Sequence, residues 1–298
     1  MAGVNIVDTA ATNSASRVSE WRRFRRVFFS RGVVIFGIVV IIAFIIVAIF
    51  GPWIAPYNPY QSDLMSTLRN PSSAHWLGTD ALGRDTLSRI IYGTRTSLQI
   101  GLIVVSIACV IGITLGLVAG YYGRWTYVII MRFIDALMSF PMILLALVVA
   151  SLLGGGMKNV IVALSIALMP AYARLMCGQV LSIKQNDYIV AERSMGASDL
   201  RIMARHVLLN CLPPTIVLIT MMLGSTILAE AGLSFLGIGI MPPTAAWGSM
   251  VSDGREYLLS HPVLSIAPGF ALMLVVFAFN MVGDGLRDAL DPRLRGQL

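Results

Sequence analysis

Residues 188–210 read YIVAERSMGASDLRIMARHVLLN, a polar island in an otherwise apolar chain. The island carries Glu192, Arg193, Asp199, Arg201 and Arg205, with Asp187 just upstream. Ala191 and Met195 before the break at Gly196-Ala197-Ser198, and Ile202 and Met203 after it, fall at helical spacings. Glycine adopts positive φ without a Cβ penalty, so Gly196 predicts a tight turn. Ser198 is placed to cap the second helix. The stretch therefore predicts a helix, a turn and a second helix laid across a membrane surface. The residues alone leave two roles open: a docking element for another protein, or a connector whose basic residues only fix topology.

The flanks decide the fold class. Hydrophobic residues make up 57% of the 298, charged residues 12%, and mean hydropathy is +0.79. A soluble domain carries about 25% charged residues, so this composition belongs to an integral membrane protein. No charge occurs between residues 32 and 62, and further charge-free windows run over 96–123, 136–157, 206–229 and 257–283. Residues 159–182 make one more, interrupted only by Arg174. Each is long enough for the roughly 20 apolar residues that a helix needs to cross a bilayer. The prediction is an all-α protein of six transmembrane helices. Its parts are a tail with an interfacial helix (1–31), the first span (32–55), an external segment (56–95), a five-helix core (96–283) containing the polar loop at about 184–210, and a second tail (284–298).

Orientation follows from the basic residues. Fifteen Lys and Arg fall on the side of both tails and the polar loop, against six on the other, Arg174 aside. The positive-inside rule places the tails and the loop in the cytoplasm. The net charge of +7 is thereby explained as anchoring, with no nucleic acid implied. Residues 1–16 are small and polar and read as disordered. Arg22, Arg23, Arg25, Arg26 and Arg31 interleave with Trp21, Phe24, Phe28 and Phe29, a pattern suited to a helix in the headgroup region.

Four other features stand out. Residues 75–98, HWLGTDALGRDTLSRIIYGTRTSL, place Asp80 and Asp85 four residues before Arg84 and Arg89, which predicts local pairs if that part is helical. Gly78, Gly83 and Gly93 there suggest turns. Ala108, Gly112, Gly116 and Gly120 repeat every four residues along the second span, a face on which helix backbones approach closely in lipid. Arg132 and Asp135 are spaced for a local ion pair, and Arg174 shares a helical face with Pro170. Near the outer end of the fifth span, Glu230, Ser234, Phe235 and Gly237 precede Pro242 and Pro243, a composition that predicts an external re-entrant turn.

Several of these strings carry a family likeness. GTDALGRDTLSRIIYGTRTSL, the 227–250 segment and the ending GDGLRDALDPRLRG resemble permease subunits of the dipeptide, oligopeptide and nickel branch of ABC importers, over about residues 20–296. The polar loop resembles that family's coupling loop, whose pattern is Glu-Ala-Ala, three residues, Gly, nine residues, Ile-x-Leu-Pro. Here Ala191, Gly196 and Leu208 match, while Val190 and Leu209 replace the leading Glu and the closing Pro. The resemblance implies the type I permease fold. It implies a second permease subunit, two cytoplasmic ATPase subunits and an external substrate-binding protein as partners. It assigns the ATPase contact to Asp187, Ala191, Glu192, Arg193, Gly196, Ala197 and Ser198, and the outer mouth of the pathway to the Glu230–Gly237 group. Short peptides are the implied substrate, with nickel, a metal chelate or glutathione as alternatives. ATP and Mg would sit on the partner ATPases, with no cofactor on this chain.

Other functions find little footing. The chain holds no G-x-x-x-x-G-K-[ST], no H-E-x-x-H and no G-x-S-x-G. His75, His206 and His261 are scattered, and Cys109, Cys177 and Cys211 lie in or beside apolar runs without a C-x-x-C, so neither a metal site nor disulfides are expected. The rival from another class is a secondary transporter, but neither inverted repeats nor a series of ionisable residues deep in the spans is evident.

Overall fold

The computed structural model describes residues 20–290. The disorder expected for residues 1–16, and the basic ending at 291–298, lie outside the described residues. In chain order the helices are α1 (Glu20–Phe28), α2 (Gly32–Ile54), α3 (Thr86–Tyr122), α4 (Arg124–Met138), α5 (Met142–Leu153), α6 (Met157–Ile183), α7 (Asp187–Ser194), α8 (Asp199–Arg201), α9 (Leu208–Phe235), α10 (Trp247–Arg255) and α11 (Val263–Leu290). A π-helical segment, Ile202–Val207, joins α8 to α9 so that Asp199–Phe235 runs on as one helical rod. The fold is all-α, and the described residues contain no strand beyond one isolated bridge between Thr79 and Asp85.

Helices α2, α3, α6, the Asp199–Phe235 rod and α11 are each long and apolar enough to cross a membrane. A sixth crossing is available from α4 and α5 together, which are bent by 90° at their junction. Pro141 explains the break: it has no N–H to donate, and it disfavours helical backbone at the residue before it.

The bundle is assembled around α3 and α6. Ile100, Val104 and Ala108 of α3 pack with Val160, Leu164 and Tyr172 of α6 in the main core, which Leu233 of α9 joins. Farther along α3 the small-residue stripe brings the two backbones together. A Cβ added at Gly112 would lie 2.6 Å from the Met169 carbonyl oxygen, and one at Gly120 would lie 2.8 Å from Val180 Cβ. At Gly116 it would run into the Ala173 carbonyl and lie 2.8 Å from Met176 Cβ. Only a residue without a side chain fits at these depths. On the other flank α2 packs against α3 and α11, α11 against α9, and α1 lies on α11. Arg31 fastens that last corner, pairing with Asp288 at 2.8 Å.

Helix α3 begins before the charge-free window that marks its span. At 37 residues α3 is about 55 Å long, far more than the roughly 30 Å hydrocarbon core. Its first turns extend beyond the membrane, so the boundary read at residue 95 falls inside the helix. Asp85 caps it, accepting from Ser88 N at 2.8 Å. Gly78 and Gly83 do form turns at φ +73°, but Gly93 is helical and lies against the buried Trp247, with 2.9 Å between an added Cβ and Trp247 Cδ1. The expected Asp85–Arg89 pair does not form. Asp85 instead meets His75 Nδ1 at 2.9 Å, and Asp80 takes both arginines, Arg84 Nε at 2.7 Å and Arg89 Nε at 3.5 Å. The Asp80–Arg84 pair forms within a turn, whereas the Asp85 carboxylate is taken up by capping Ser88 and by His75.

Replacing Gly116 by Leu should separate α3 from α6 and sharply lower the yield of folded protein. Overpacking a filled site typically costs about 1–3 kcal/mol, and here the obstruction is backbone that has no rotamer to yield. Val110→Ile, at a position 66% exposed on the same helix, should leave the yield unchanged. Size-exclusion profiles in detergent provide the comparison.

Candidate functional site

The polar loop is held at one end of the α3–α6 seam. Helix α7 carries Asp187 in its first turn and Arg193 in its last, each placed favourably for the helix dipole. Met195 N donates to Ala191 O at 3.0 Å and closes the helix, and Gly196 then turns the chain at φ +83°. Ser198 takes the N-cap position of α8 in backbone terms, but its side chain makes no capping bond. The π-helical segment that follows was not foreseen, because its sequence is ordinary helical sequence.

Below the loop a second core forms. Ile189, Ile202, Met203 and Val207 are buried with Tyr121 of α3 and with Met176 and Val180 of α6. Above it, polar contacts converge on the end of α3. The Tyr121 hydroxyl donates to Asp199 Oδ1 at 2.6 Å and accepts from Arg193 Nη2 at 3.2 Å. The Arg193 guanidinium lies over the same ring, 5.6 Å from its centroid. The bond to Tyr121 raises the Arg193 pKa above the ordinary arginine range. Lys184 Nζ donates to the carbonyls of Gly120 and Tyr121, satisfying orphan acceptors at the end of α3. Glu192 reaches His206 Nε2 at 3.5 Å.

The loop's outer surface is partly apolar. Val190, Met195 and Leu200 are 57%, 74% and 73% exposed, on an element too polar to lie in hydrocarbon. Glu192, Arg193 and Asp187 lie at the same surface, and nothing is within 4 Å of a Cβ built on Gly196. Of the residues singled out in the sequence, Asp187, Ala191, Glu192, Arg193, Gly196, Ala197 and Ser198 are therefore brought together on one short segment. Tyr121, Lys184 and Asp199, which position that segment, were missed. Tyr121 and Lys184 flank the boundaries of their spans, which is the one signal that pointed to them.

The other candidate group is arranged differently. Glu230 is fully buried and Ser234 nearly so, with Ser234 Oγ donating to Glu230 Oε1 at 2.7 Å and accepting from Ile240 N at 3.1 Å. They brace the turn after α9 from inside. Phe235 and Gly237 lie at the surface, Gly237 with φ +81° and Phe235 beneath the Arg255 guanidinium at 5.3 Å. Asp135 does not pair with Arg132 as the spacing suggested. It pairs with Arg174, joining α4 to α6.

Comparison with known proteins gives this architecture its family. Residues 112–296 match the family described as binding-protein-dependent transport system inner membrane component, and residues 19–71 match the N-terminal TM domain of oligopeptide transport permease C. The chain belongs to the binding-protein-dependent transport system inner membrane components, the permeases of ABC importers. It is 42% identical over 278 residues to the dipeptide transport system permease protein DppC of Alkalihalophilus pseudofirmus, covering 93% of this chain and 91% of that one. It is 45% identical to the glutathione transport system permease protein GsiD of Pectobacterium atrosepticum, with 92% of each chain covered. Among solved structures it resembles the MetNI methionine ABC transporter in an inward-facing conformation, with TM-score 0.57 and 20% identity over 69% of this chain and 97% of that one. That last likeness concerns the fold.

Tyr121→Phe should loosen the loop without unfolding the bundle. It removes two hydrogen bonds of about 1 kcal/mol each, one of them to a carboxylate. Amide exchange over residues 187–201 should accelerate by about thirtyfold, while the amides of α6 keep their protection; equal exchange in both proteins would show that the hydroxyl holds nothing.

Proposed function

We propose that this chain forms half of the translocation pathway of an ATP-driven peptide importer and passes the ATPase stroke to the membrane through residues 187–198. The observation that carries this reading is the exposed apolar set Val190, Met195 and Leu200 on a polar helix–turn–helix. Side chains of that kind outside the membrane suit a protein partner. The partners are two cytoplasmic ATPase subunits holding ATP and Mg, a second permease subunit, and an external binding protein that delivers substrate. Both tails and the loop face the cytoplasm of a bacterial cell. The substrates are short peptides, a class to which glutathione also belongs and which fits relatives named for dipeptide and glutathione transport.

Mechanically, closure of the ATPase pair would push the loop. The bonds of Arg193 and Asp199 to Tyr121 would carry that displacement to the end of α3, which Lys184 ties to the end of α6, and alternating access would follow from the movement of one half-pathway against the other.

Orientation is tested with single cysteines after Cys109, Cys177 and Cys211 are replaced. A cysteine at Met65, 88% exposed, should react with an impermeant maleimide from outside intact cells. One at Leu200 should react only after the cytoplasmic face is opened. The opposite pattern would overturn the orientation and the coupling assignment together.

Coupling is tested with Gly196→Trp. The positive φ costs a non-glycine residue about 1 kcal/mol, and the open space around the residue in this chain leaves room for the indole, so the variant should fold and insert. The bulk on the docking surface should abolish peptide uptake and substrate-stimulated ATP hydrolysis in proteoliposomes. Full uptake and full stimulation in an assembled Gly196→Trp complex would reduce the loop to a connector.

A further inference from the structure

Helix α6 has two unlike faces. Met169, Ala173, Met176 and Val180 lie against the glycine stripe of α3. The opposite face carries Arg174, Gly178 and Ser182, spaced by four and all exposed. Arg174 pairs with Asp135 of α4, and both side chains stay half-exposed in that pair. No atom lies within 4 Å of a Cβ added at Gly178.

Beside that face a cleft of about 700 Å³ opens between α6, α9 and the end of α11. Leu175 and Gln179, the sequence neighbours of Arg174 and Gly178, form its α6 wall. Along α9 it runs from Asn210 to Met221, about 16 Å of helix, and so enters the span from the polar-loop end.

Pro213 and Pro214 supply an independent observation. Both line the cleft, and neither has an N–H. The Leu209 carbonyl thereby loses both its α-helical and its π-helical donor, and the Asn210 carbonyl loses its α-helical one. Backbone acceptors released in this way need water or a polar guest.

Two kinds of neighbour are available to such a surface, a second subunit or water. Subunits that pack in lipid need the close approach that small residues give, as at the α3–α6 seam. Here long charged side chains stand out from α6, a cleft lies beside them, and the backbone along that cleft has acceptors to spare. Charged groups inside a span mark substrate and ion paths. Irregular backbone at membrane depth lines water-filled cavities. The balance falls on water.

We propose that the cleft and the adjoining face of α6 form the inner half of this chain's share of the pathway, a water-filled surface lined by Asp135, Arg174, Gly178, Gln179, Asn210 and Val217. Acceptors there suit the backbone N–H groups that short peptides share whatever their side chains. The proposal rests on the half-pathway reading above and adds to it the residues that the substrate passes.

The test uses the assembled permease–ATPase complex in nanodiscs, with Cys109, Cys177 and Cys211 replaced. One cysteine is then introduced by Gly178→Cys, by Val217→Cys or, as the control on the α2 flank, by Val39→Cys at a position 58% exposed. A charged methanethiosulfonate attacks the thiolate, which lipid suppresses, so without nucleotide the first two should react about tenfold faster than the control. Trapping the ATPases closed with ATP and vanadate should slow both, because alternating access shuts the inner half as the outer half opens. The labelled complexes should then lose Ala-Ala uptake in proteoliposomes supplied with the binding protein. Rates at the level of the control would overturn the proposal, since a subunit or lipid would then cover the face. So would rates that trapping leaves unchanged, or full uptake after complete labelling. ATP-dependent uptake of Ala-Ala by the unlabelled wild type is scored separately: its absence sinks peptide import, whereas uptake that survives labelling at both positions sinks the pathway surface alone.

Discussion

The rest of the bundle depends on the backbone contact between α3 and α6. In lipid, apolar side chains gain nothing by leaving one apolar surface for another, so helices associate through close van der Waals packing. Gly112, Gly116 and Gly120 supply that packing by leaving α3 without side-chain atoms where α6 lies against it. Two consequences follow. Helices α4 and α5, bent by 90° at Pro141, connect α3 to α6 in the chain, so the α3–α6 pair fixes both ends of that bent segment. The far end of the seam also becomes a rigid anchor, and the polar loop hangs from it. Lys184 joins the end of α6 to the last carbonyls of α3, and Tyr121 joins α3 to both arms of the loop through Arg193 and Asp199. The loop is therefore tied directly to the α3–α6 seam.

What the sequence made legible was set by local rules. Absence of charge marks a span because lipid offers no partner for charge. A four-residue repeat of small residues marks a helix face, and a glycine after a polar helix marks a turn. Those rules found the spans, the stripe and Gly196. They placed the end of α3 poorly, since a helix that continues past the membrane acquires Arg89 and Arg95 without ceasing to be a helix. Gly93 shows the same limit: its lack of a side chain serves Trp247, which is remote in sequence, and does not serve a turn.

Pairings between distant residues were illegible for a related reason. Asp85 and Asp135 each have a basic residue at helical spacing, and that spacing yields a partner only when nothing better lies opposite. Asp85 prefers His75 because residues 75–85 fold back as turns over the start of α3. Asp135 prefers Arg174 because α4 crosses α6 there. The candidate site was half visible in the same way. Its exposed residues are consecutive in the chain and could be read together, while Tyr121 lies 78 residues from Asp199 and is marked locally only by its place at the end of a span.

The Asp135–Arg174 pair also constrains what must surround this chain. Its side chains are 46% and 54% exposed when the chain stands alone. Arg174 lies nine residues from the end of α6 at Ile183, about 14 Å along the helix and within the stretch read as a span. Charged groups at such depth face protein or water, not acyl chains. Gly178, one turn farther along the same face, has no atom within 4 Å of an added Cβ, so this face of α6 is not filled by the chain's own side chains. A face that is charged, open and within the span is unsuited to lipid. It requires a second subunit or an aqueous path against it, and a half-pathway provides both.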